Sequence, residues 1–154
     1  GFRQTPAHVA DLKAVMAWLR TQARVPVWLV GTSRGTQSAA YVATELTGPE
    51  GPDGIVLNSS ILVDEKSAPV PAMPRGRIQV PVLVQHHERD GCGYCAFADV
   101  PKLMAGLTQA RAKHLMSFTA GVSHGDPCAA MAYHGYNGIE ADVVQQAAAW
   151  MLAR

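Results

Sequence analysis

The chain carries almost no net charge and no long run of charge of one sign. It has 13 Lys and Arg residues against 12 Asp and Glu residues, which gives a formal net charge of +1 at pH 7. Nowhere do about five like charges follow one another, as they do in segments that bind nucleic acids or membrane surfaces. The composition therefore favours neither kind of partner.

Long apolar runs are missing as well. No run reaches the roughly 18 apolar residues that a membrane-spanning helix needs. The first residues, GFRQTPAHVADLKAV, lack the apolar core of a signal peptide. Internal repeats and low-complexity tracts are also absent. What is present is a chain of 154 residues, 48% of them hydrophobic, which is enough for one domain with a sizeable core.

Helical and extended patterns alternate along this chain. Helices are predicted after Thr5, over 35–46, over 99–109 with Asp99 as the cap, and after Asn137, which forms a capping-box pattern with Glu140. Strands are predicted over 25–30, from 54, over 80–87 and from 114, the first of them buried on both faces. Strands that alternate with helices pair in parallel, so the predicted fold class is α/β.

A single serine stands between two glycines where the first strand meets the second helix. The segment VWLVGTSRGTQSAA contains G-x-S-x-G with Ser33 at its centre. Between a buried strand and a helix, this pattern is typical of a nucleophile elbow, in which a strained turn presents the serine. The glycines allow strand and helix to approach closely, and the helix start offers N–H groups to a developing negative charge.

A nucleophilic serine needs a base and an acid that orients the base. Asp90 follows the third strand in VLVQHHERDGC, where α/β sheets gather their functional side chains. Two histidines, His124 and His134, follow the fourth strand. The order serine, aspartate, histidine is the one expected of α/β-hydrolases.

These segments, with HGYNGIEADVV before the last helix, resemble the α/β-hydrolase superfamily, in particular small bacterial serine hydrolases akin to dienelactone hydrolases and lipases. The resemblance implies one partial domain over 1–154 that holds the fifth to eighth strands and all three triad members. It implies no cofactor. One oxyanion donor would be the backbone N–H of Arg34, and the other would come from a loop outside this chain.

The base is one of two histidines. The triplet His-Gly-Tyr at 134–136 looks like the base motif of many family members, whereas His124 precedes a Gly-Asp-Pro turn. We therefore favour His134 as the base and keep His124 as the alternative. The remaining histidines, at 8, 86, 87 and 114, are expected to be structural or exposed.

Three cysteines lie near the proposed acid and base. If the acid loop and the base loop meet, Cys92 and Cys128 come close enough for a disulfide, which leaves Cys95 free and implies a periplasmic or secreted protein. Two alternatives stay open. Cys92 and Cys95 have redox C-x-x-C spacing, and the three cysteines with His124 match the ligand set of a Cys₃His zinc site.

Two further segments bear on function. The stretch over 60–79 carries three prolines and is either a cover for the substrate or an irregular surface loop. An open sheet edge at VPVWLV predicts pairing with a missing N-terminal segment or with a second chain. The sequence thus predicts a serine hydrolase of small to medium carboxylic esters. The alternative function is a non-catalytic remnant or interaction domain of the same fold.

Overall fold

Four parallel β-strands form one sheet, and their spatial order follows their order along the chain. The structure is a computed structural model that describes residues 1–154. Its strands are β1 (Trp28–Thr32), β2 (Gly54–Asn58), β3 (Val82–His87) and β4 (Lys113–Phe118). Its helices are α1 (Pro6–Gln22), α2 (Arg34–Glu45), α3 (Val100–Gly106) and α4 (Glu140–Leu152). The predicted α/β fold is confirmed.

Helices cover both faces of the two central strands. Ile55 and Leu57 of β2 pack with α2 and α3, whereas the intervening Val56 packs against Trp150 of α4. The same alternation holds in β3, where Leu83 shares the α4 side with Val56. Because both faces are buried, β2 and the first half of β3 are apolar, whereas β3 ends in the buried polar residues Gln85, His86 and His87.

The first helix forms as the sequence predicts. The Thr5 hydroxyl accepts a hydrogen bond from the backbone N–H of His8, and Pro6 occupies the first helical position. Met16 of α1 is buried against Val27 and Val42. No helix of the structure combines the length and the hydropathy that a membrane span requires.

The first strand differs from its prediction. It begins at Trp28 rather than near Val25, and it is an edge strand that is not buried on both faces. Val25 and Val30 are 60% and 59% exposed. An apolar groove of about 620 Å³ continues from this edge along α4. The expectation of burial was wrong because hydropathy alone does not distinguish a central strand from an edge strand that has a single neighbour.

Two helix starts also differ in detail. The cap of α4 is Ile139, not Asn137, whose side-chain amide instead donates to the carbonyl of Met131. The Glu140 half of the capping box does form, but its carboxylate accepts the N–H of Gly138. Asp99 makes no side-chain cap for α3, which is shorter than predicted and follows a 3₁₀ turn at Phe97–Asp99.

The proline-rich stretch between β2 and β3 is neither helical nor a plain surface loop. It forms 3₁₀ turns at Val70–Ala72 and Arg75–Arg77. Val70 and Ile78 are fully buried in the main core with the side chains of α2 and α3. Its first part, residues 60–68, lies against the start of α2, where it is hydrogen-bonded to Arg34, Thr36 and Gln37. We call residues 60–68 the strap.

Candidate active site

Ser33 lies at the junction of β1 and α2 with φ 52° and ψ −120°. A positive φ is rare for any residue other than glycine, and such backbone strain is concentrated at functional sites. The Ser33 N–H donates to the carbonyl of Asn58 at 3.0 Å, so the end of β2 holds the turn. The local geometry is that of a sharp strand-to-helix turn, with a half-buried serine at its apex.

The two glycines beside Ser33 have different roles. A Cβ on Gly31 would lie 2.4 Å from the carbonyl oxygen of Gly35, so only glycine fits at that position. A Cβ on Gly35 would meet no atom within 4 Å. The expectation that close packing requires both glycines therefore holds for Gly31 and is wrong for Gly35.

Asp90 and His134 form a buried hydrogen-bonded pair. The Nδ1 of His134 lies 2.9 Å from Oδ2 of Asp90, and Oδ1 of Asp90 accepts the backbone N–H of Cys92. The two residues are 9% and 3% exposed. With Nδ1 bound to a carboxylate, the proton sits on Nδ1 and leaves Nε2 as the basic nitrogen. That Nε2 is buried and makes no hydrogen bond.

The alternative base, His124, has different surroundings. It is exposed, and its backbone N–H donates to the carbonyl of Met131. Its side chain makes no hydrogen bond or ion pair, whereas Asp90 bonds to His134. Of the two candidates, the structure therefore brings His134 to the aspartate.

Contacts made by His134 itself and by the neighbouring Tyr133 and Tyr136 hold the base loop in place. Its carbonyl accepts the hydroxyl of Ser59, which follows β2, at 2.7 Å. The hydroxyl of Tyr136 donates to the carbonyl of Gln85 in β3. The neighbouring Tyr133 ring stacks on His87 with its centroid 4.3 Å away. These contacts join the base loop to the carboxyl ends of β2 and β3.

Ser33 and His134 lie at the same edge of the sheet. Ser33 is bonded to Asn58 and His134 to Ser59, the adjacent residue of the same strand end. No hydrogen bond links Ser33 Oγ to His134. The structure thus brings Asp90 and His134 into contact and holds the Ser33 turn on the same strand end that holds His134.

The predicted disulfide between Cys92 and Cys128 is present, with the Cα atoms 4.6 Å apart. Cys95 is free and buried, as expected. The zinc set of three cysteines with His124 does not assemble, because two of its thiols are bonded to each other and His124 is exposed. The C-x-x-C pair is likewise not a disulfide in itself.

His86 is part of the acid's surroundings, a role that the sequence did not indicate. It is completely buried, and its Nε2 lies 3.7 Å from Oδ2 of Asp90. The same Nε2 donates to the carbonyl of Cys95 at 2.7 Å. Burial lowers the pKa of His86, so the ring stays neutral beside the carboxylate. Its position four residues before Asp90 was the available signal.

The strap is held against the start of α2 by Asp64, which sequence reasoning also missed. The Asp64 side chain is 2% exposed and pairs with the Arg34 guanidinium. It also accepts hydrogen bonds from Gln37, from Ser67 and from the Lys66 N–H. Burial opposes the charge, but these donors outweigh it and hold the pKa of Asp64 well below its usual range.

The backbone and the side chain of Arg34 face different surroundings. Its backbone N–H lies at the first position of α2, where N–H groups have no partner within the helix. Its side chain turns away to Asp64 and lies over the Tyr94 ring, 4.9 Å from the centroid. The strap and Tyr94 line a depression of about 330 Å³ beside this pair.

Comparison with known proteins gives a likeness of fold only. No protein-family model and no curated protein matches the chain. Among solved structures, it resembles the esterase domain of a protein from Rhodothermus marinus, with a TM-score of 0.52 and 18% sequence identity. The alignment covers 73% of this chain and 57% of that chain, so this chain spans less than two thirds of the neighbour. At that identity the match supports the α/β fold.

Proposed function

We propose that this protein is a serine hydrolase that cleaves carboxylic esters through an acyl-enzyme intermediate. Ser33 is the nucleophile, His134 the general base and Asp90 the residue that orients the base. The observation that carries the proposal is the buried Asp90–His134 hydrogen bond of 2.9 Å. It lies at the carboxyl ends of the strands, where Ser33 occupies its strained turn. The likeness to an esterase domain supports ester hydrolysis as the class of reaction.

In the first half of the reaction, Ser33 Oγ attacks the ester carbonyl carbon while His134 Nε2 takes the hydroxyl proton. Asp90 keeps the other imidazole proton on Nδ1 and stabilises the imidazolium that forms. The tetrahedral intermediate then collapses, and His134 returns the proton to the departing alcohol. In the second half, water attacks the acyl-enzyme by the same route and releases the acid.

The negative charge that develops on the carbonyl oxygen needs hydrogen-bond donors. The N–H of Arg34 supplies one, supported by its place at the positive end of the α2 dipole. Serine hydrolases of this fold use a second N–H from an early loop. Absence of one donor costs roughly 10²–10³ in rate, so full activity depends on a second donor from outside the four strands of this chain.

A fluorophosphonate probe tests the reaction class directly. Such probes bond covalently to an activated serine, and we expect stoichiometric labelling at Ser33, found by peptide mass spectrometry. Ser33→Ala should remove both the label and the hydrolysis of p-nitrophenyl esters. A folded protein that takes up no label would instead support the alternative, a non-catalytic domain of the same fold.

The choice of base is tested with a matched pair of variants. His134→Ala should lower kcat/KM by roughly 10²–10⁴, the usual contribution of a general base. His124→Ala changes an exposed ring without side-chain partners and should leave the rate unchanged within about twofold. The reverse pattern would transfer the role to His124.

Two further expectations belong to the proposal. The disulfide between Cys92 and Cys128 is typical of an oxidising compartment, so we propose a periplasmic or secreted location. The exposed apolar edge of β1 is a template for another strand. We therefore propose that a further segment or a second copy of the chain pairs with it. Light scattering that shows a well-behaved monomer of these 154 residues would contradict the pairing.

A further inference from the structure

Three potential metal ligands lie close together at the Asp90–His134 pair, and His134 is one of them. The sulfurs of Cys92 and Cys95 and one ring nitrogen of His134 lie within 4.8 Å of one another, and all three residues are buried. Cys95 donates its N–H to the carbonyl of Cys92 at 2.8 Å, which closes the C-x-x-C turn. Such a turn aims two sulfurs at one point, as in the knuckles of structural zinc sites.

We propose that reduction of the Cys92–Cys128 disulfide converts this cluster into a zinc-binding site. Among the divalent cations available to proteins, Zn²⁺ is the one best suited to a donor set of two thiolates and one imidazole. A tetrahedral zinc with sulfur at about 2.3 Å and nitrogen at about 2.0 Å separates its ligand atoms by roughly 3.3–3.8 Å. Side-chain rotations that close the present spacing by about 1 Å are therefore sufficient, and water completes the coordination.

The disulfide controls access to this site. A sulfur in a disulfide carries no thiolate, so Cys92 cannot bind the metal in the oxidised protein. A dithiol reductant supplies two electrons and two protons, becomes a disulfide itself and leaves Cys92 and Cys128 as thiols. Zinc then displaces the protons of Cys92 and Cys95 and releases them to solvent.

Cys95 is a free thiol that is buried beside the disulfide. Once a divalent cation enters the cluster, coordination deprotonates the thiol outright.

His134 already has the support that a zinc ligand needs. Its Nδ1 bonds to Asp90 while its buried Nε2 has no partner. A histidine that binds metal through one nitrogen usually donates the other N–H to a carboxylate, which orients the ring. On the proposed function, zinc on Nε2 occupies the basic nitrogen, and zinc on Nδ1 breaks the bond to Asp90. Hydrolysis stops in either case.

The test uses Cys128→Ser, which frees Cys92 without any reductant. Cys128 is exposed, so the substitution removes the crosslink without opening a cavity. We expect one Zn²⁺ per chain for this variant and for the parent protein in a phosphine reductant, measured by competition with a colorimetric chelator. The oxidised parent should bind none. Cobalt in place of zinc should give a thiolate charge-transfer band and the visible bands of a tetrahedral ion.

The matched control is Cys95→Ala combined with Cys128→Ser. Loss of a direct ligand should weaken zinc binding by more than the ~10–100-fold that loss of an outer-shell partner costs. Equal zinc binding with and without Cys95 would overturn the proposal, as would reduced protein that binds no better than oxidised protein. If zinc binds as expected but no form hydrolyses esters, the zinc site stands and the proposed function fails.

Discussion

Removal of the Cys92–Cys128 crosslink should cost the protein a predictable amount of stability. The two residues are 36 apart in sequence. For a loop of about 36 residues, the chain-entropy relation gives about 13 cal/mol/K, or about 3.8 kcal/mol at room temperature. Because Cys128 is exposed, its replacement by serine loses little packing, and this term dominates. The corresponding decrease in Tm is about 8–15 °C for a domain of this size.

The measurement is urea unfolding followed by tryptophan fluorescence, in a metal chelator, with and without a phosphine reductant. The parent protein should lose about 3–4 kcal/mol on reduction. Cys128→Ser should match the reduced parent and should not respond to reductant, which makes it the internal control. A reduced parent as stable as the oxidised one would refute the reasoning, since it would show that the unfolded chain gains no freedom.

The same perturbation should act on activity before it unfolds the protein. The crosslink lies two residues from Asp90 and six residues before His134. On the proposed function, a misplaced Asp90 leaves the imidazole of His134 in the wrong tautomer at a cost of up to roughly 10⁴ in rate. Under mild reduction we therefore expect kcat to fall while the fluorescence still reports a folded chain. Parallel loss of both signals would assign the disulfide a purely structural role.

Three shorter predictions concern the surroundings of the site. Gly31→Ala should lower the free energy of unfolding in urea by about 1–3 kcal/mol or more, because its Cβ would lie 2.4 Å from a carbonyl oxygen. The control, Gly35→Ala, should change it by less than about 1 kcal/mol. The lowered pKa of His86 means that the unfolded chain binds the extra proton first, so stability should fall as pH drops below about 6.5. His86→Gln, which keeps a donor for the Cys95 carbonyl, should reduce that slope. Asp64→Asn should destabilise the protein at pH 7 by about 1–3 kcal/mol and reduce the stability lost by the parent below about pH 4, since a depressed carboxyl pKa stabilises only above the unfolded value.

The sequence was sufficient to predict the parts of the candidate site that depend on local residue patterns. Ser33 follows β1 and Asp90 follows β3. Because the strands are parallel, their carboxyl ends lie at the same end of the sheet, which brings these residues to one region. The disulfide followed from the same reasoning, because Cys92 and Cys128 come close if the loops of Asp90 and His134 meet, and the structure has this bond. For β1 the apolar pattern wrongly predicted burial on both faces, whereas the resemblance predicted the open sheet edge that the structure has there.

What the sequence did not predict depends on contacts between distant side chains. Asp64 reaches Arg34 across 30 residues, and no local spacing marks that pair. His86 belongs to a strand, where alternation predicts only that it points to one face. Its contact with Asp90 results from the turn after β3, which folds the chain back by one short loop. Gly35 shows the converse, a motif residue for which the packing gives no requirement.

The position of the crosslink links fold stability to the chemistry of the acid–base pair. A disulfide elsewhere between these loops that closed the same number of residues would lower the entropy of the unfolded chain equally, because in the chain-entropy model that effect depends on loop length alone. This one uses Cys92, whose own N–H binds Oδ1 of Asp90 while Oδ2 binds His134. If Cys92 moves on reduction, its N–H pulls on Oδ1 of Asp90, and the carboxylate then shifts Oδ2 relative to His134. If this crosslink also positions the carboxylate, reduction should lower the rate while the chain is still folded, in addition to lowering the free energy of unfolding.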